Sequence, residues 1–189
     1  MSELFHANEP RLLVYKIDRA DHLIELADDW DTFAKQNDGE TILREQIEGK
    51  SLWQFITHAE TCNLYQSLAG KVRNNGGEYK VNFRCDGPDC RRHIELTLSP
   101  GHNSEVIFRS QVVGIEQRAP VPFPKSIAEE DKEFIQMCSW CKKIMIAEGH
   151  WAEIEVAIEK LSLFARIDEI ALTHTICPTC QQTLDNYDD

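Results

Sequence analysis

Glu78-Tyr-Lys-Val-Asn-Phe-Arg-Cys85, Cys90-Arg-Arg-His-Ile-Glu-Leu-Thr-Leu98 and Glu105-Val-Ile-Phe-Arg-Ser-Gln-Val-Val-Gly-Ile-Glu116 follow one another with only short breaks. In the first run Tyr79, Val81 and Phe83 share one parity, and in the second Ile94, Leu96 and Leu98 do. Alternation with period two predicts half-buried strands. The third run carries Val106, Phe108 and Val112 and is rich in β-branched residues. Asp86-Gly-Pro-Asp89 and Ser99-Pro-Gly-His-Asn103 separate the runs, and both have the residues that tight turns use. Three consecutive strands joined by short turns predict an antiparallel sheet.

Working upstream, Leu12-Leu-Val-Tyr-Lys-Ile17 and His22-Leu-Ile-Glu-Leu-Ala27 flank Asp18-Arg-Ala-Asp21 and read as a hairpin. Asp28-Asp-Trp-Asp-Thr-Phe-Ala34 places acidic residues at the positive end of a helix, with Trp30, Phe33 and Ala34 on one face. Short helical pieces follow through Ile56. Thr57–Arg73 reads as a longer helix with Leu64, Leu68 and Val72 in a stripe, closed by Asn74-Asn-Gly-Gly77. Two strands, several helices and three strands predict an α+β layer with helices on one face of a five-stranded antiparallel sheet.

Downstream, Ala119-Pro-Val-Pro-Phe-Pro-Lys125 alternates prolines and supports neither a ladder nor a helix. The acidic run to Glu133 is expected to open a helix. The expected division is therefore a domain over residues 1–118, a linker over 119–133 and a small module over 134–189. These segments carry net charges of −5, −2 and −5, within a total of −12 over 189 residues. Neither half has the positive field that nucleic-acid binding needs. Met1–Pro10 lacks the apolar core of a secretory signal, and no apolar run approaches the roughly 18 residues of a membrane span. The expected location is the cytoplasm, where thiols stay reduced.

Seven cysteines in such a compartment need an explanation other than disulfides. Four form Cys138-Ser-Trp-Cys141 and Cys177-Pro-Thr-Cys180. Two thiolates separated by two residues can turn back onto one ion, and a second pair closes a tetrahedron. Thiolate softness favours zinc, and four thiolates leave no open position, so the expected site is structural. The module is also of a size at which an apolar core alone is marginal. Between the pairs, Lys142–Ile146 is expected as a strand and Gly149 as a turn. Trp151–Leu163 is expected as a helix with Trp151, Ile154, Ile158 and Leu161 in a stripe, and a short helix is expected to begin at Pro178. His174 lies three residues before Cys177 and is a candidate for the second shell, or for replacing a cysteine. A redox dithiol at Cys138–Cys141 and an iron–sulfur cluster on the same thiolates are the competing chemistries. The first calls for a βαβ context that the pattern does not display.

Further candidates lie in the first domain. Trp30, Phe33, Trp53 and Phe55 could line a ligand pocket or fill the core. Cys85 and Cys90 bracket a hairpin loop and could face each other across it. Arg84, Arg91 and Arg92 could contact a partner or an anion, or pair with Asp86 and Asp89.

Asp18-Arg-Ala-Asp21, Leu23-Ile-Glu-Leu26, Trp30-Asp-Thr-Phe-Ala34 and Gly49-Lys-Ser-Leu-Trp-Gln-Phe-Ile56, in this order, resemble the PAS sensory fold over residues 10–118. Phe83–Arg92 is similar to a strand–loop–strand segment of a bacterial PAS-like subgroup. Residues 136–184 resemble a cysteine-rich tail of bacterial signalling proteins with receiver or PAS domains. That likeness rests on Cys138-Ser-Trp-Cys-Lys-Lys143, Gly149-His-Trp151, Ile154-Glu155 and Thr173-His-Thr-Ile-Cys-Pro-Thr-Cys180. Related tails more often carry Ser-His-Gly-Ile before the second pair, and Thr175 stands here at the glycine. The tail implies a zinc-stapled α/β module of treble-clef or zinc-ribbon type.

The PAS likeness implies ligand binding or protein pairing. Flavin-binding relatives use a cysteine in an Asn-Cys-Arg-Phe-Leu-like string, which Ala59-Glu-Thr-Cys-Asn-Leu64 does not match. His58, in the region of the axial histidine of haem-binding relatives, is a lone residue, so neither haem nor flavin is expected. The resulting expectation is a non-catalytic signalling or regulatory protein acting through a small ligand, a protein partner or self-association. A redox or small-molecule sensor is the alternative. No nucleophile–base arrangement and no phosphate-binding loop points to an enzyme.

Overall fold

The computed structural model describes residues 12–36, 39–56, 59–121, 133–166 and 170–185. These residues form two compact units. One draws on Met1–Asn82 and His93–Ile115, the other on Phe83–Arg92 and Glu116–Asp189.

In the first unit, β1 (Leu12–Ile17) pairs antiparallel with β2 (Leu23–Leu26) and with β5 (Val106–Gln117). With β3 (Tyr79–Arg84) and β4 (Cys90–Pro100) they make a five-stranded sheet in the order β2-β1-β5-β4-β3. All helices of the unit fall between β2 and β3, as expected of a PAS-like layer: α1 (Trp30–Gln36), α2 (Arg44–Ile47) and α3 (Ala59–Asn75), with 3-10 turns at Glu40–Ile42 and Leu52–Phe55. Period-two burial sets the register. Tyr15 and Ile17 of β1 lie opposite Phe108 and Val106 of β5, and all four are buried. The α3 face bearing Leu68, Ala69 and Val72 is buried too. Gly76 and Gly77, both at positive φ, end this helix, with the Gly76 N–H donating to the Val72 carbonyl at 3.0 Å. Arg44 fixes the entry to the helices. Its guanidinium donates to the Leu26 and Ala27 carbonyls at 3.0 and 2.7 Å, and its N–H to Asp31 Oδ1 at 2.7 Å.

The second unit is built on a mixed four-stranded sheet, β8-β7-β6-β9. Its strands are β6 (Glu133–Cys138), β7 (Ile144–Ala147), β8 (His150–Ala152) and β9 (Ile170–Thr175). Helices α4 (Ile154–Lys160) and α5 (Pro178–Asp185) complete it. Gly149, at φ 73°, turns β7 into β8. Ile135, Met137, Ile144, Ile154, Ala157, Ile158, Leu163 and Ile170 are buried together as its apolar core.

Four expectations change. Glu133 opens strand β6 rather than lying in a helix, and residues 122–132 lie outside the described residues. Val121, read as linker, is buried in the second unit's core. Trp151 belongs to β8, because it pairs with Met145; extended Glu153 then lets the helix begin only at Ile154. Phe83–Arg92, read as part of the first domain, is a compact part of the second unit. Among the described residues no helix is long and apolar enough to cross a membrane.

Candidate metal centre

The two cysteine pairs meet because β6 and β9 are parallel. Their register sets Cys138 beside Thr175, so both strands deliver the chain to the same edge of the sheet. The Ser139 N–H extends the ladder by one bond to the Thr175 carbonyl, at 2.8 Å. Beyond Cys138 the chain reverses. The Cys138 N–H donates to the Lys143 carbonyl at 2.8 Å and the Lys142 N–H to the Cys138 carbonyl at 3.0 Å, with Lys142 in the left-handed region at φ 61°. Beyond β9, Pro178 opens α5 where its missing N–H costs nothing, and the first turn carries Cys180. Thr175 is extended strand and needs no glycine-like freedom.

The four Sγ atoms lie within 4.8 Å of one another. Cys141 and Cys177 Sγ are 3.8 Å apart. A tetrahedral ion with Zn–S bonds of about 2.3 Å sets an S–S edge of about 3.8 Å, so the cluster fits zinc. The N–H groups of Cys141 and Cys177 point at Cys138 Sγ, at 3.5 and 3.4 Å. Cys138, Cys177 and Cys180 are buried and Cys141 is half-buried.

The gathered thiols compete for ionisation. Hydrogen bonds with the Cys141 and Cys180 thiols, joined by the two N–H groups, hold the Cys138 thiol far below its ordinary range. The same contacts push Cys141 up, to about 12, through its bond to Cys138 first, and they push Cys180 up as well. One thiolate is thus stabilised at its neighbours' expense, and a divalent ion removes that conflict by favouring ionisation of all four.

His174 lies opposite Met137 in the β6–β9 register and is half-buried, outside the group of gathered ligand atoms. The parallel β6–β9 pair, with α4 in its crossover, supplies a context that the sequence pattern did not display. The first cysteine pair, however, is followed by hairpin β7–β8 and not by a helix.

The arginines of the hairpin tip have partners inside the second unit. Arg84 Nη1 bridges both Glu153 carboxylate oxygens, at 2.9 and 2.8 Å, while its Nε and Nη2 grip the two oxygens of Asp86. These bonds raise its pKa further against the opposing effect of burial. Arg91 reaches Glu155 at 2.5 Å and Glu153 at 3.5 Å. Arg92 donates to the Cys85 carbonyl at 3.0 Å. Arg84 and Arg91 are therefore structural ties rather than open contacts for an anion. Arg118, 5% exposed at its side chain, joins them by reaching Glu155 at 3.3 Å and the Gly87 carbonyl at 2.8 Å. Sequence reasoning missed Glu153, Trp140 and Arg118. The acidic pair around Ile154 was visible, but its arginine partners lie far off in the chain.

Cys85 and Cys90 are not cross-strand partners. The Cys85 N–H bonds to the Arg92 carbonyl and the Gly87 N–H to the Cys90 carbonyl, so the tip is offset by two residues.

Two of the aromatic candidates, Trp30 and Trp53, make hydrogen bonds within the first unit. The Trp30 indole donates to the Ile42 carbonyl at 2.7 Å and sits edge-on to Tyr15. The Trp53 indole donates to Asp21 Oδ2 at 2.7 Å. Phe33 and Phe55 are half-buried, and His58 lies outside the described residues. Phe108 stacks on Tyr15 at 4.8 Å and faces Tyr65 at 6.3 Å. Burial, more than the nearby Tyr65, pushes the Tyr15 phenol up and keeps it neutral.

No family model and no curated protein matches the chain. Solved structures similar to it include the PAS domain of the Cronobacter turicensis RpfR quorum-sensing receptor in complex with C12:0. That match has 13% identity and a TM-score of 0.40, covering 57% of this chain and 99% of that one. The same receptor domain in complex with BDSF matches at 13% identity and a TM-score of 0.39, with the same coverage. A sensory box sensor histidine kinase from Vibrio cholerae matches at 8% identity and a TM-score of 0.41, covering 56% of this chain and 84% of that one.

Proposed function

We propose that this chain is a non-catalytic, cytoplasmic regulatory protein. Its PAS-like unit receives a small ligand or a protein partner, and its second unit is held together by one structural zinc ion on Cys138, Cys141, Cys177 and Cys180. The cysteine cluster carries the reading: four sulfurs lie within 4.8 Å of one another, the number of donors that a tetrahedral zinc site takes. When bound, zinc supplies a fixed tetrahedral node with no vacant position for water, which argues against hydrolytic chemistry there. The protein's own groups do the rest. Parallel β6 and β9 bring the two pairs to one edge, and the N–H groups of Cys141 and Cys177 stabilise the Cys138 thiolate. Output passes through association with a protein partner or a second copy of the chain.

Native mass spectrometry of the purified protein tests this. The expected result is one zinc per chain, lost on chelation, with any retained ligand and the oligomeric state read in the same spectrum. A metal-free protein whose second unit is fully folded contradicts the zinc reading. A Soret or flavin absorbance band contradicts the expectation of a colourless ligand.

A further inference from the structure

The turn Cys138-Ser-Trp-Cys141 does more than present two ligands. Trp140, 5% exposed, lies between them. Its carbonyl accepts the Arg84 N–H at 2.8 Å, and its ring tilts against Phe83 with centroids 5.4 Å apart. Phe83 and Arg84 end β3, so the turn grips the strand end by both backbone and side chain.

The rest of the tip Phe83–Arg92 is held by other parts of the same unit. Glu153 and Glu155 flank Ile154, the buried first residue of α4, and bind Arg84 and Arg91. The carbonyls of Pro88 and Asp89 accept the N–H groups of Val121 and Arg118, at 2.9 Å each. On one side, then, the tip leans on a turn whose closure depends on four crowded sulfurs.

Within the turn, Cys138 bonds to Lys142 and Lys143, and the Lys142 ammonium donates to the Ser139 carbonyl at 2.7 Å, but none of these bonds joins the first cysteine pair to the second. The Ser139 hydroxyl is buried without a hydrogen-bond partner among the described residues. Removing a cation from four gathered thiolates leaves repulsion or protonation, and the first cysteine pair loses the centre it shares with the second. Opening carries the Trp140 carbonyl away from the Arg84 N–H.

We propose that metal loading of the four-cysteine centre latches the hairpin tip Phe83–Arg92, and that loss of the ion releases it. The inference rests on the zinc reading of the centre.

Hydrogen–deuterium exchange on the full chain, zinc-loaded and then treated with a chelator, tests it, with metal content followed by native mass spectrometry. The expected result is that amides of residues 83–92 exchange about 10-fold faster or more without zinc, while Leu12–Ile17 and Leu23–Leu26 keep their protection. Unchanged exchange in 83–92 with zinc demonstrably bound and then removed overturns the latch alone. Loss of protection in every strand together also overturns it, since that is global unfolding. A protein that binds no zinc overturns the latch and the zinc reading together.

Discussion

The two units solve the same problem with different means. The first buries large apolar side chains against a sheet: Phe108 stacks on Tyr15, and Ile17, Leu68, Leu96 and Leu98 are fully shielded. Its polar contacts, such as the Trp30 indole on the Ile42 carbonyl, fix positions within a core that already closes. The second unit has a thinner apolar core and adds two devices, a four-thiolate centre at one edge of its sheet and an arginine–carboxylate network at the start of α4. A small module that cannot bury enough apolar surface gains order from a metal and from paired charges.

The contrast can be broken at several points. The largest effect should come from the metal. Chelation, or Cys177→Ser, removes a contribution of about 10 kcal/mol to folding of the second unit and leaves the first folded, as backbone NMR would report. Phe108→Ala should do the reverse, costing the first unit about 3–5 kcal/mol in chemical denaturation while zinc content stays unchanged. Glu153→Gln removes the carboxylate that Arg84 and Arg91 share, while Arg84 keeps Asp86, and should cost the second unit about 2 kcal/mol, with little effect on the first.

The smallest effect is in the acid range. N–H groups of His22, first, and Ala20 hold the Asp18 carboxyl below its ordinary value of 3.8. Its contribution is therefore present above that value and is lost as pH falls through the lowered pKa. Asp18→Asn should cost the first unit about 0.5 kcal/mol at neutral pH and nothing in strong acid. Protons compete with zinc for the thiolates at higher pH than this, so an acid titration should empty the second unit before it touches the first.

Legibility differed between the units in the same way. β3 and the second half of β4 alternate apolar and polar residues, and β1, β2 and β5 are apolar-rich runs set beside turns, so all five strands are readable in the sequence. The cysteine spacing gave the centre directly. Ile170–Thr175 was not assigned: a short apolar run that becomes a strand beside β6 has no period of its own. Trp151 fitted a helical stripe with Ile154 and Ile158, and only its pairing with Met145 shows that it lies on a strand. The double membership of the β3–β4 hairpin was also hidden. The bonds that draw Phe83–Arg92 into the second unit join Arg84 to Glu153 and Arg91 to Glu155, across 69 and 64 positions of the chain. Local pattern carries no trace of such pairs.

On the proposed reading, the second unit depends on a metal for its fold and the first does not. A zinc titration of the metal-free full chain, followed amide by amide in a nitrogen–proton NMR spectrum, tests it most directly. The account predicts that signals of Ile135, Ile144 and Ile170 sharpen into dispersed positions and saturate at one zinc per chain. Leu23, Val81 and Phe108 should stand at their folded positions from the start. A spectrum that zinc does not alter, or one in which both sets of signals appear together, would contradict it.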